Sequence, residues 1–160
     1  MKVIRLSTAL LLLAVVTIGL VSIPQWQKLH DANERADDRS AAMAVATQEV
    51  RDLTTLSPTT LDPTLERLKK RLTGTFARQF DAFYSTFASV VSEQKVTSRG
   101  SVQSVALSAL TERRAVALVA ARAVVTSKES KREIQRAYRF EVSLSKRGDT
   151  WLISGMRFVS

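Results

Sequence analysis

Eighteen consecutive residues, Leu6 to Ile23, carry no charge, and Lys2 and Arg5 stand just ahead of them. As a helix rising about 1.5 Å per residue, this run spans about 27 Å, close to the roughly 30 Å hydrocarbon core of a bilayer. Val3 and Ile4 extend the apolar length while Arg5 snorkels to the headgroups. Only a helix can satisfy its own backbone through lipid. The run therefore predicts a bitopic chain, with residues 1–5 as a cytoplasmic tail, 6–23 as a transmembrane helix and a folded part beyond. The rival is a cleaved secretory signal, with Lys2 and Arg5 as its basic region and Leu6 to Val21 as its apolar region. Its exit, Gly19-Leu20-Val21-Ser22-Ile23-Pro24, lacks an Ala-x-Ala pattern, and there is no cysteine to accept a lipid. Trp26 and Lys28 stand where an interfacial anchor belongs. These features favour a retained helix. Its small residues, Ser7, Ala9, Ala14, Thr17 and Gly19, would let a neighbouring membrane helix approach closely.

The short, wholly basic amino flank favours an N-terminus in the cytoplasm. The carboxyl flank mixes Lys28, Arg35 and Arg39 with Asp31, Glu34, Asp37 and Asp38. The rest of the chain is then expected on the extracytoplasmic side of the plasma membrane.

A chain of 160 residues less such an anchor leaves one ordinary domain. The absence of cysteine removes disulfides, zinc–thiolate sites and thiol nucleophiles together. The net charge of +9 is uneven. Residues 24–52 carry four basic and six acidic side chains, whereas residues 53–160 carry 18 basic and nine acidic ones. A basic surface outside a membrane points to anionic headgroups or acidic partner proteins, with an incidental excess of solvated charge as the plain alternative. Nucleic acid is not expected as a partner, because the basic runs lack interleaved aromatics for base stacking.

Along the chain, Leu29, Ala36, Met43 and Val50 recur every seventh residue. The spacing predicts a polar helical stalk over residues 24–38, running into a packed helix over about 39–56. Pro58 and Pro63 bracket a break. Asp62-Pro63 then reads as an N-cap followed by the first helical position. Leu65, Leu68, Leu72, Phe76, Phe80, Phe83, Phe87 and Val90 follow at spacings of three or four, with Gly74 as a kink or a joint between two helices. An aromatic stripe at this spacing is a packing face rather than a ligand box. Beyond Lys95 the period changes to two. Tyr138, Phe140, Val142 and Leu144 alternate with polar residues. Residues 101–110, 115–126 and 150–159 read as further strands, and Arg147-Gly148-Asp149 as a hairpin turn. Helices followed by four antiparallel strands make an α+β domain over residues 39–160. It is expected to be cone-like or cystatin-like, its curved sheet wrapped around the Phe-rich helix.

The catalytic inventory is thin. His30 is the only histidine and falls in the stalk. There is no Gly-rich phosphate loop and no Ser-His-Asp set. Asp37-Asp38 is the only adjacent acidic pair, flanked by Arg35 and Arg39. Cone-like folds do host enzymes, and Asp81, Tyr84 and Tyr138 are the counterparts of a cavity carboxylate and tyrosine. A surface acid and core tyrosines explain them more simply. No enzyme activity, metal or cofactor is expected. Arg67, Lys70, Arg71 and Arg78 lie opposite the leucines and are candidates for contact with headgroups or an acidic subunit.

Four segments resemble a known family. They are Arg71-Leu-Thr-Gly-Thr-Phe-Ala-Arg-Gln-Phe80, Ala115-Val-Ala-Leu-Val-Ala-Ala121, Arg136-Ala-Tyr-Arg-Phe-Glu-Val-Ser-Leu144 and Trp151-Leu-Ile-Ser-Gly-Met-Arg-Phe-Val159. Together they resemble the actinobacterial Mce-associated membrane proteins over nearly the whole chain. Members often carry an acid near position 155, where this chain has Gly155, so that feature does not carry over. The resemblance implies a nuclear-transport-factor-2-like fold and an accessory role beside the permease and other subunits of Mce lipid importers. A second family shares the architecture: the bitopic assembly subunit of type IV secretion systems.

Overall fold

Alternation builds the larger part of the molecule. In the computed structural model, which describes residues 32–130 and 132–159, four strands follow one another: β1 (Thr97–Leu110), β2 (Arg114–Thr126), β3 (Ile134–Arg147) and β4 (Thr150–Phe158). They form one antiparallel sheet in the order β1-β2-β3-β4. On β2, Ala115, Ala117, Val119, Ala121 and Ala123 are buried, while the residues between them face the other way. Val119 lies between Val105 on β1 and Phe140 on β3, and Ala117 lies between Leu107 and Val142. Register shifts interrupt β1 after Val102 and after Leu107, and interrupt the β3–β4 pairing after Ser143. Such bulges bend a sheet and sharpen its twist. Arg147 pairs with Thr150 across a two-residue turn, where Gly148 adopts a φ of 56°. The left-handed backbone of such a turn favours glycine.

The chain divides into two units, Met1–Asp37 and Asp38–Ser160. Of the first, only residues 32–37 are described; they are helical and exposed. In the second unit, residues 38–54 form a helix, α1. Ala42, Ala46 and Val50 recur at four-residue spacing on α1 and are fully buried in one cluster with the inner face of the sheet. Small side chains on both surfaces let the backbones approach. At the end of α1 the approach is closest: a Cβ at Gly100 would meet Thr54 Oγ1 at 2.0 Å and the Thr54 carbonyl oxygen at 2.8 Å. Ser98 Oγ donates to that carbonyl at 2.6 Å, and Leu56 and Ser98 exchange both backbone hydrogen bonds.

Two further helices, α2 (Leu61–Lys70) and α3 (Gly74–Glu93), build a second cluster around Leu56, Leu61, Leu65, Leu68 and Val91. Gly74, at a φ of 64°, opens α3 as the sequence predicts for a joint. The linker between the helices runs beside the other edge of the sheet. Thr73 N–H donates to the Ile153 carbonyl at 2.9 Å, and Ile153 N–H donates to the Arg71 carbonyl at 2.7 Å.

The α+β class and the four antiparallel strands are as expected, with three helices laid on the sheet. The helix at the centre is not the expected one. Only Val91 of α3 is buried; Phe76, Phe80 and Phe87 are half-buried, and Phe83 is 56% exposed. The alanines of α1 take the place against the alanines of β2, because a wide aromatic face cannot come as near to the sheet. Helix α2 starts at Leu61 with Thr60 as its N-cap, ahead of the expected Asp62. Pro63 still fits, since the first turn has no intrahelical acceptors for its N–H groups. Strands β1 and β3 begin four residues before the positions read from alternation alone. No helix among the described residues is long and apolar enough to cross a membrane. The expectations for the tail, the 6–23 helix, Arg5, Ser7, Ala9, Ala14, Thr17, Gly19, Trp26, Lys28 and His30 all lie outside the described residues.

Candidate functional site

The basic residues singled out in the sequence do not act together. Arg71, at the end of α2, turns inward. Its Nε donates to Glu49 Oε2 at 2.8 Å and its Nη2 donates to Asp52 Oδ2, while Gln48 Nε2 donates to Asp52 Oδ1 at 2.9 Å. Glu49 is only 3% exposed. Burial pushes its carboxyl up to about 7, against the opposing pull of the Arg71 hydrogen bond and charge. Arg71 thus clamps α1 to the α2–α3 linker. Arg67 and Arg78 stay exposed, and each donates to a threonine one turn earlier, Thr64 and Thr75. Lys70 is exposed as well.

Asp81, Tyr84 and Tyr138 are not drawn into a shared cavity. Asp81 pairs with Lys69 at 2.8 Å, both about half exposed. Tyr84 packs among the partly buried residues of the second cluster, 6.4 Å edge-on from Phe80. Tyr138 lies beside Phe140 and Phe158, with ring centroids 6.0 and 6.1 Å away. Phe158 itself is 68% exposed. Among the described residues, no group of three or more His, Cys, Asp or Glu side chains is placed to hold a metal.

The structure shows two features that the sequence did not. Asp38, read as part of a solvated stalk pair, accepts from Lys146 Nζ at 2.6 Å and from Trp151 Nε1 at 3.3 Å. The Lys146 hydrogen bond holds its carboxyl below the usual range. The second feature is an open depression of about 570 Å3 on β1, β2 and β3, lined by Arg99, Ser101, Gln103, Arg122, Val124, Gln135 and Ala137, with the paired Ala123 and Arg136. Register places Arg99, Ser101, Arg122, Val124, Gln135 and Ala137 on the outer face, away from the helices. A signal existed in the sequence: Arg122 interrupts the apolar outer positions Val116, Leu118, Ala120 and Val124 of β2. Its neighbours could be named only once the bulges in β1 were located.

Residues 2–160 match the family model described as uncharacterized protein Rv1363c/MT1408-like. The chain belongs to this family. A Mycobacterium tuberculosis relative, uncharacterized protein Rv1363c, is 33% identical over 159 residues, covering 97% of this chain and 60% of that protein. The chain thus spans about three-fifths of that relative's length. Solved structures extend the likeness of fold. A periplasmic fragment of TraM superposes with a TM-score of 0.60 at 11% identity, covering 74% of this chain and 95% of the fragment. CagV, a VirB8 homologue of the type IV secretion system from Helicobacter pylori, also reaches 0.60, at 8% identity, with 76% and 98% covered. An Ntf2-like protein involved in plasmid conjugation reaches 0.52 at 15% identity, with 76% and 48% covered. At these identities the likeness is one of fold, and it is nuclear-transport-factor-2-like, as the family resemblance implies.

Proposed function

We propose that this member of the Rv1363c/MT1408-like family is a membrane-tethered, non-enzymatic accessory subunit of an envelope transport complex. Residues 6–23 anchor it, its N-terminus is cytoplasmic, and its α+β domain stands on the extracytoplasmic side. One observation carries the reading: nearly the full length of a periplasmic TraM fragment and of a type IV secretion VirB8 homologue superposes on this domain. Such a fold, placed behind an apolar helix-length run, suits a part that holds other parts. The side chains agree with this reading. The candidate acid Asp81 is engaged by Lys69, and the candidate tyrosines are packed among other rings.

The complex is an Mce-type lipid importer, and its permease and other subunits are the partners, with membrane lipid around the anchor. The quoted resemblance is what favours that choice, and the mycobacterial relative agrees only with an actinobacterial family. A type IV secretion-like assembly is the second reading, favoured by what the structural neighbours are described as. Purification of the tagged full chain from host membranes in mild detergent separates the two. Mce permease subunits are the expected companions. Secretion-channel subunits would transfer the protein to the second reading, and recovery of the chain alone would remove both.

A further inference from the structure

A phosphate group asks three things of a protein surface: concentrated positive charge, donors fixed in direction, and no carboxylate in competition. The outer depression of the sheet provides the first two, and around Arg122 at its centre the third as well. Two arginines, Arg99 and Arg122, stand on this outer face, and none of the nine lining residues is acidic. Arg122 sits mid-sheet, between Ser101 on β1 and Ala137 on β3. These small neighbours leave room around its guanidinium, which is exposed and makes no hydrogen bond or ion pair among the described residues. Gln103 Nε2 donates to Ser101 Oγ at 2.9 Å, which orients that hydroxyl and leaves its own proton to be donated outward. Gln135 adds a second amide on the outer face.

An anion already rests at the rim. Arg99 Nη2 contacts Glu133 Oε1 at 2.6 Å, with both side chains more than 60% exposed. Exposed pairs of this kind are weakly held, so a phosphate with more charge and more acceptor oxygens would displace this carboxylate. The volume of about 570 Å3 is in the range of small-molecule sites and larger than a bare phosphate needs.

We infer that the outer face of the sheet binds a phosphate carried on a hydroxylated head the size of a sugar or polyol ring. Arg122 and Arg99 grip the phosphate, and Ser101, Gln103 and Gln135 hydrogen-bond the hydroxyls. This chemistry is common to a lipid headgroup and to a free phosphorylated polyol. The inference does not depend on which complex the subunit joins.

The test is calorimetric titration of the full chain in micelles of an uncharged detergent. The probes are inositol 1-phosphate, dioctanoyl phosphatidylinositol and unphosphorylated inositol. Saturable one-to-one binding is expected for the two phosphorylated probes and not for inositol. Tighter binding of the lipid identifies a headgroup as the source, and equal binding identifies a free phosphate ester. Arg122→Ala should weaken binding at least tenfold. Arg122→Lys should restore only part of it, because lysine keeps the charge and loses the planar fork. Arg113→Ala, an equal charge change in the exposed turn before β2, should stay within twofold. No saturable binding of either phosphorylated probe would overturn the inference. So would equal weakening by Arg122→Ala and Arg113→Ala, since that marks attraction to net charge rather than a site.

Discussion

Strand β2 has two faces with opposite fates. Ala115, Ala117, Val119, Ala121 and Ala123 are buried on one side, whereas Leu118 and Arg122 are exposed on the other. Residues one position apart therefore answer to different physics. On the inner face size decides, because α1 lies against it and Ala42, Ala46 and Val50 have no accessible surface. The outer face is left open to charge and hydrogen bonding, because no helix among the described residues packs against it. The same period of two that keeps the sheet folded also sets aside a row of positions that folding does not use.

The sharpest way to break the comparison is to give both faces the same insult. Val119→Asp would bury an unpaired carboxylate between Val105 and Phe140, and should cost more than about 4 kcal/mol. Leu118→Asp, one residue earlier and exposed, should cost less than about 1 kcal/mol. Urea titration of the full chain in mild detergent, followed by circular dichroism, measures both. Equal losses would mean that the outer face is covered after all.

The next effect tests the clamp under α1. Arg71→Ala strands two carboxylates, Glu49 and Asp52, of which Glu49 is almost wholly enclosed. A loss of about 3 kcal/mol is expected, since removing one partner leaves the others without compensation. Glu49 also sets a pH dependence. The folded carboxyl of Glu49 is raised from 4.5 to about 7, so the fold holds its proton more tightly than the unfolded chain does. Its contribution is complete below about pH 4.5 and is lost as pH rises through about 7. Asp38 works in the opposite sense. Its carboxyl is lowered by Lys146, so its contribution is present above the usual aspartate value of 3.8 and is lost as pH falls through the folded value. Thermal midpoints between pH 4.5 and 7.5 should therefore decline toward the upper end. Glu49→Gln should flatten that decline, whereas a slope unchanged in the variant would assign the titration to another group.

The smallest effect is expected from the outer ion pair. Arg157 makes a two-pronged contact with Glu141, at 2.8 and 2.7 Å, but its side chain is 67% exposed. Arg157→Ala should leave the urea midpoint unchanged within error, because solvent and salt screen the pair.

How far the sequence reached follows from what each pattern encodes. The strands were readable because half-buried alternation names both an element and its inner face, as at Tyr138, Phe140, Val142 and Leu144. The joint at Gly74 was readable because a left-handed residue interrupts the helical spacing. The choice of central helix was not, because an apolar stripe says which side of a helix is buried and not what it is buried against. The aromatic stripe of α3 is far stronger than the Ala42, Ala46 and Val50 stripe of α1, yet the weaker one supplies the fully buried residues against the sheet, with Phe76 and Phe80 only partly buried beside it. Arg71 looked like one more cation in a basic run, since its partners are 19 and 22 residues away. The outer depression depends on the bulges in β1, which decide which residues stand beside Arg122, and no local pattern announces where a bulge falls.

Both border strands of the sheet have a rung already taken. Leu56 occupies one on β1 at Ser98, and the linker through Leu72 occupies one on β4 at Ile153. A foreign strand sliding up to either border meets a chain that is already seated, and along β1 it also meets two kinks that spoil its alignment. Many copies crowded side by side would therefore resist zippering into a continuous ribbon, and would have to meet one another through their flat sides or their helices.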